Sequence, residues 1–194
     1  NNILSYKTHE VILLIDDIIR NRCDGGGTTL ALSIINDLNA FFLNIGDSRI
    51  YIKNQEEFYQ LSKDHSITWK LLEKGIIKRK DDMLFHKKNN LITSRLGCEK
   101  RLLKIDDFFV DNDKYDEIYL FSDGITDCLN DEAIRCITDF DSANPAGKFI
   151  DYSLKNNIKQ NFLNNKYYYN EVTGGKDNAS SIVYIKRKEA HSEI

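Results

Sequence analysis

The sequence predicts an α+β layered domain in which helices cover β-sheets. Short apolar runs of strand length recur along the chain, other segments carry helical spacing, and Gly, Asn and Asp gather between them. A length of 194 residues fits one domain, and a hydrophobic content of 41% is enough to build a core.

From Glu10 to Arg20 the apolar residues Val11, Leu14, Ile15, Ile18 and Ile19 recur at helical spacing, and Asp24-Gly25-Gly26-Gly27 breaks that helix. Thr28–Ile35 and Ala40–Ile45 read as strands joined by the turn Asn36-Asp37-Leu38-Asn39. Arg49–Lys53 and Glu57–Leu61 read as two more, around Asn54-Gln55. Ile67–Lys74 reads as a short helix with Ser66 as N-cap and Gly75 just past its end. Residues 76–90 are charged and irregular, which predicts an exposed, mobile segment. Leu102–Val110 and Glu117–Phe121 are strand-like, Asn130–Thr138 and Ala146–Gln160 helix-like, and Ser180–Ile185 is a last apolar strand before a polar tail.

Composition excludes several function classes. The net charge of −3 comes from 27 basic and 30 acidic residues, without the basic excess of a nucleic-acid binder. The longest wholly apolar run, Val11–Ile15, is too short to cross a bilayer, and Asn1 to Ser5 has no signal-peptide layout. Cys23, Cys98, Cys128 and Cys136 stand far apart with no C-x-x-C pair, so they read as reduced, mostly buried thiols of a cytoplasmic protein.

Chemistry concentrates where apolar strands end. Ile118-Tyr119-Leu120-Phe121-Ser122-Asp123-Gly124 reads as a buried strand that delivers Asp123 to a turn. Asp177, in Gly174-Gly175-Lys176-Asp177-Asn178, stands just before the last apolar strand, and Asp64 just after another. Taken singly, each is what an ordinary turn or cap uses. Gathered together, such carboxylates repel unless a hard cation sits among them, and oxygen-only donors select Mg²⁺, Mn²⁺ or Ca²⁺ over Zn²⁺. An EF-hand starting at Asp111 fails, because Asp116 and Ser122 stand where Gly and Glu are required. Thiolate zinc fails because cysteines and histidines do not cluster. Asp24-Gly25-Gly26-Gly27-Thr28-Thr29 lacks the lysine of a P-loop and leads into a strand, so it reads as a structural turn.

Six blocks in order then carry a specific resemblance. They are Gly27-Thr28-Thr29-Leu30, Asn44-Ile45-Gly46-Asp47-Ser48-Arg49, Leu61-Ser62-Lys63-Asp64-His65-Ser66, Ile92-Thr93-Ser94-Arg95-Leu96-Gly97, Phe121-Ser122-Asp123-Gly124-Ile125-Thr126-Asp127 and Asp177-Asn178. Together they resemble the signature blocks of the PP2C (PPM) family of metal-dependent serine/threonine phosphatases, and Asp64 to Gly97 resembles the flap of bacterial members. The resemblance implies a β-sandwich flanked by helices (α-β-β-α), spanning residues 1–188 with a flap at about 66–94 and a polar tail at 189–194.

By the same resemblance, Asp123 and Asp177 would be catalytic ligands of a dinuclear Mn²⁺ or Mg²⁺ centre, Asp64 would hold a third ion near the flap, and Asn178 would support the ligands from behind. Asp47, Ser48 and Arg49 match a mainly structural motif, and Arg95 a packing or hydrogen-bonding residue. With no partner carboxylate evident, His65 reads as structural at the flap base. The implied reaction is attack on phosphoserine or phosphothreonine of a protein substrate by a water held between the metals, in a monomer that needs neither nucleic acid nor membrane.

The family also carries metal-site residues upstream of its G-T-T block, so the chain is expected to lack the N-terminal portion of the domain. That expectation leaves a rival open: a PP2C-like pseudophosphatase serving as an interaction or regulatory module.

Overall fold

The computed structural model describes residues 2–99, 102–139, 143–155 and 177–186. The architecture is easiest to build outward from one strand. Among the described residues, β1 (Leu30–Ile35), β2 (Asn39–Ile45) and β5 (Asp106–Asp111) form an antiparallel sheet in the order β1-β2-β5. Every residue of the central β2 is buried. Side chains alternate across a strand. Phe41, Leu43 and Ile45 therefore face helix α1 (Asn2–Arg22), where Ile12, Leu4 and Ile19 meet them. Ala40 and Phe42 face the other way and pack on Ile50 and Ile52 of β3 (Arg49–Lys53) and Ile118 of β6 (Glu117–Phe121).

β3 and β6 belong to a second antiparallel sheet, in the order β4-β3-β6-β7, with β4 spanning Phe58–Gln60 and β7 Ser181–Ile185. Its outer face carries Tyr51, Tyr119 and Phe121. These pack on Ile125 of α3 (Asp123–Thr126), Ala133, Ile134 and Ile137 of α4 (Asp131–Thr138), and Phe149 of α5 (Pro145–Lys155). The layers therefore run helix, sheet, sheet, helices, the α-β-β-α order that the resemblance implies.

Local chemistry agrees with the expected turns and caps. Asn36 Oδ1 accepts from the amides of Leu38 (2.8 Å) and Asn39 (3.0 Å), closing the β1–β2 turn. Ser66 caps α2 (Ile67–Glu73) by accepting from the Trp69 amide at 3.1 Å. Asn130 caps α4 in the same way, through Ala133.

Three expectations change. The first helix is longer than Glu10–Arg20, and its predicted stripe divides. Ile19 turns inward, whereas Val11, Leu14, Ile15 and Ile18 are exposed, with Ile12 facing the sheet instead and the fully buried Asp16 meeting the Gly97 amide. The segment at 76–90 is not wholly exposed. Lys80–Phe85 form a 3₁₀ helix, and Ile77 and Met83 are buried, because apolar residues interrupt its charges and find a surface to cover. The strand expected at Leu102–Val110 begins only at Asp106. The far end of the predicted Ala146–Gln160 helix, the Gly174–Lys176 loop and the 189–194 tail lie outside the described residues.

Phe42 is fully buried between the sheets, stacked on Phe108 and edge-on to Tyr115. Phe42→Ala is therefore expected to cost about 3–5 kcal/mol, read as a lower urea midpoint at unchanged secondary structure.

Candidate active site

The β6–β7 ladder brings the two most distant sequence candidates together. Phe121 pairs with Ser181, and beyond that pair the Ser122 amide donates to Ser180 O at 3.1 Å while Ser122 Oγ accepts from the Ser180 amide at 2.9 Å. Asp123 and Asp177 therefore emerge from neighbouring strand ends. Gly124 permits the approach: a Cβ there would lie 2.4 Å from Asn178 O, inside any real contact. Asp123 Oδ1 accepts from the Gly124 amide at 2.9 Å and Asp177 Oδ1 from the Asn178 amide at 2.7 Å. Asn178 thus meets its neighbours through its main chain.

Asp47 joins this group from the end of β2. The turn that carries it depends on Gly46, whose φ of 101° favours glycine and whose Cβ would meet Thr29 at 2.3 Å. His65 clasps the turn from both sides: its amide donates to Gly46 O at 2.8 Å, and its Nδ1 accepts from the Gly46 amide at 3.1 Å. That acceptor leaves Nε2 to carry the proton, which it donates to Asp106 Oδ2 at 3.1 Å. His65 is buried and does have a carboxylate partner, contrary to the sequence expectation, because Asp106 lies 41 residues away along the chain. Burial holds its imidazole below the usual range, against the pull of Asp106.

Asp64 forms the opposite wall. Arg49 Nε donates to both of its oxygens (3.0 and 3.1 Å), Arg49 Nη2 donates to Oδ2 at 2.7 Å, and Gln60 Nε2 to Oδ1 at 3.0 Å. Arg49 and Asp64 are both buried, so this is an interior ion pair with the carboxylate's acceptor positions filled. Met83, Leu84 and Asn89 of the flap complete a small cavity of about 20 Å³, also lined by Asp47, Arg49, Asp64, Asp123 and Asp127. That volume suits about one water-sized particle. The flap is pinned above it where Lys80 donates to Asp131, the residue that also accepts from the Tyr51 hydroxyl at 2.9 Å. Burial and then Arg49 hold the Lys80 ammonium below lysine's ordinary range, against the pull of Asp131.

Electrostatics show how crowded the carboxylates are. Burial, then Asp123, Asp64 and Asp127, lift the Asp47 carboxyl from 3.8 to about 7. Burial and then Asp177 push Asp123 upward as well. An all-oxygen donor set that retains a proton near neutrality is chemistry suited to a hard divalent cation. Among the described residues, no three His, Cys, Asp or Glu side chains converge closely enough to enclose an ion by themselves.

Sequence reasoning set Asp47 aside as structural, yet it lines the cavity with Asp64 and Asp123, whereas Asp177 and Asn178 are not among the lining residues. The available signal was the one used for Asp123, an aspartate at the end of a buried strand. Arg95, by contrast, donates to Gly25 O at 3.2 Å, clipping the flap's return to the end of α1.

The raised Asp47 carboxyl gives a pH dependence of definite sign. The folded chain binds that proton more tightly than the unfolded chain, so the contribution of Asp47 to stability falls as pH rises from about 4 to about 7. In EDTA, Asp47→Asn is expected to melt higher than the wild type at neutral pH. The advantage should vanish toward pH 4 in thermal melts.

Comparison with known proteins agrees with this geometry. Residues 2–88 match the family model described as protein phosphatase 2C. The serine/threonine phosphatase stp of Listeria innocua is 36% identical over 106 residues, covering 55% of this chain and 41% of that relative. The protein phosphatase PhpP of Streptococcus pneumoniae is 36% identical over 117 residues, covering 60% of this chain and 47% of that relative. The chain thus spans less than half the length of these curated relatives. Among solved structures, Stp1 from Staphylococcus aureus superposes with a TM-score of 0.76 at 24% identity, covering 96% of this chain and 68% of that one. The catalytic domain of PstP, in a complex with two manganese ions, superposes at 0.62 with 23% identity, covering 88% and 64%. Over residues 2–88 the chain thus resembles protein phosphatase 2C in sequence, and its described residues share the fold of the solved phosphatases.

Proposed function

We propose that the chain supplies part of the active site for metal-dependent hydrolysis of phosphoserine and phosphothreonine in proteins. The observation that carries the reading is the convergence of Asp47, Asp64, Asp123 and Asp127 on one cavity, where burial and then the neighbouring carboxylates raise Asp47 to about 7. The phosphatase names of the Listeria and Streptococcus relatives support the same reading.

Asp123 and Asp177 are the residues proposed to hold a dinuclear Mn²⁺ or Mg²⁺ centre, with Asp47 the neighbour best placed to share it. Asp64 is assigned to a third ion on the flap side, which requires Gln60 or Arg49 to release one of its oxygens. The chemistry such ions supply when bound is activation of a water and neutralisation of phosphoryl charge. The chain's own contribution is positional. Gly124 lets the two strand ends close, His65 and Asn44 hold the Asp47 turn, and Met83 roofs the cavity against bulk water.

One observation favours a second reading, a PP2C-like pseudophosphatase: the Asp64 carboxylate already accepts from Arg49 and Gln60.

Hydrolysis of a phosphothreonine peptide, titrated with Mn²⁺ on this chain and on the longest reading frame containing it, decides between the readings. Turnover abolished by EDTA supports the phosphatase; folded protein inactive in both forms supports the alternative. In the active form, Asp123→Ala is expected to lower kcat at least about 100-fold, beyond the cost of losing an outer-shell partner, with an unchanged circular dichroism spectrum.

A further inference from the structure

A second cavity, of about 290 Å³, lies against the other side of Asp64. The two cavities share that residue as a wall, so a ligand in one stands beside a ligand in the other. The larger one is lined by Lys63, His65, Trp69, Lys70, Thr93 and Lys104, among others.

The charge balance of the cleft selects a ligand. Lys63 pairs with Glu73 at 3.1 Å and Lys104 with Asp106 at 2.8 Å. Glu73 is shared further, accepting from the Trp69 indole at 3.3 Å. Lys70 is exposed and makes no ion pair with a carboxylate among the described residues. The Asp64 carboxylate is spent on Arg49. Three ammonium groups therefore face two carboxylates, and the cleft keeps an excess of about one positive charge over the Trp69 ring and the Leu102 side chain. A carboxylate on a short apolar stem matches both parts. A phosphate group, carrying about 1.5 to 2 negative charges, exceeds what one unpaired ammonium balances.

We infer that this cleft binds an aspartate or glutamate side chain of a peptide, so that the protein reads an acidic residue near the one it acts on. The binding stands on the cleft alone; its use in substrate choice rests on the phosphatase reading.

Trp69 is the single tryptophan of the chain, and it lines the cleft, so its fluorescence reports occupancy without any turnover. The probe is a glutamate-containing, non-phosphorylated peptide, compared with its glutamine counterpart and with inorganic phosphate. The glutamate peptide should give a saturable change that weakens with added salt, while the glutamine peptide gives none. Lys70→Glu, at an exposed position that leaves the fold intact, should weaken that binding by about fivefold. Equal responses to the two peptides, binding unaffected by Lys70→Glu, or a response to phosphate alone would overturn the inference.

A turnover comparison separates the two claims. Phosphothreonine peptides with a neighbouring glutamate should show a higher kcat/KM than their glutamine versions, and Lys70→Glu should erase the difference. Selective fluorescence binding with no hydrolysis of any peptide would keep the cleft and remove the phosphatase. Hydrolysis indifferent to the neighbour, with no fluorescence response, would remove the cleft and keep the phosphatase.

Discussion

The Arg49 guanidinium is the buried positive charge around which the acidic wall is organised. A charge this deep is costly unless it is paired and hydrogen-bonded. Arg49 is paired by gripping Asp64 with two nitrogens, which ties β3 to the start of the flap. Its charge also pulls the Asp123 carboxyl back toward the ionised form, against the burial and the Asp177 repulsion that push it up. Without that cation, the buried Asp64 carboxylate would lose its ion-pair partner beside the other carboxylates of the cavity. The neighbouring Lys80 answers the same field from the flap, and its attachment to Asp131 ties the lid to the far helical layer.

Much of the fold was legible because its layers impose simple periods. β2 carries the continuous apolar run Ala40–Leu43 since both of its faces are covered, and β3 and β6 alternate between sheet and helices. The first helix was legible as a helix but not in its orientation. Its apolar residues encircle more than one face, and a buried Asp16 that accepts from the Gly97 amide at 2.7 Å helps decide which face turns inward. A polar anchor of that kind has no signature in hydrophobic spacing. The flap was misread for the opposite reason. Its abundant charge obscured Ile77 and Met83, which need only a few contacts to be drawn under.

At the site, strand-end aspartates were visible one at a time, while their convergence was not. Asp47 and Asp64 come from the turns that follow β2 and β4, Asp123 and Asp177 from either side of a β6–β7 pairing that joins residues some sixty positions apart. His65 and Asp106 meet across a comparable separation. Pairings of that range are set by sheet register, which local composition does not encode. The resemblance supplied the order of the motifs and classed Asp47 as mainly structural, while its strand-end position is the signal that goes with its place on the cavity.

The dependence of the site on β7 has a temporal side. A ribosome delivers the chain from its N-terminus, so Asp47 and Asp64 are in place long before the segment that pairs with β6 exists outside the exit tunnel. Until residues 181–185 have emerged, β6 has a free edge and Asp123 stands without Asp177. The carboxylate cluster is therefore completed only after the segment that pairs with β6 has emerged. A nascent chain passes through a stage in which both sheets are largely formed and the acidic centre is still open on one side.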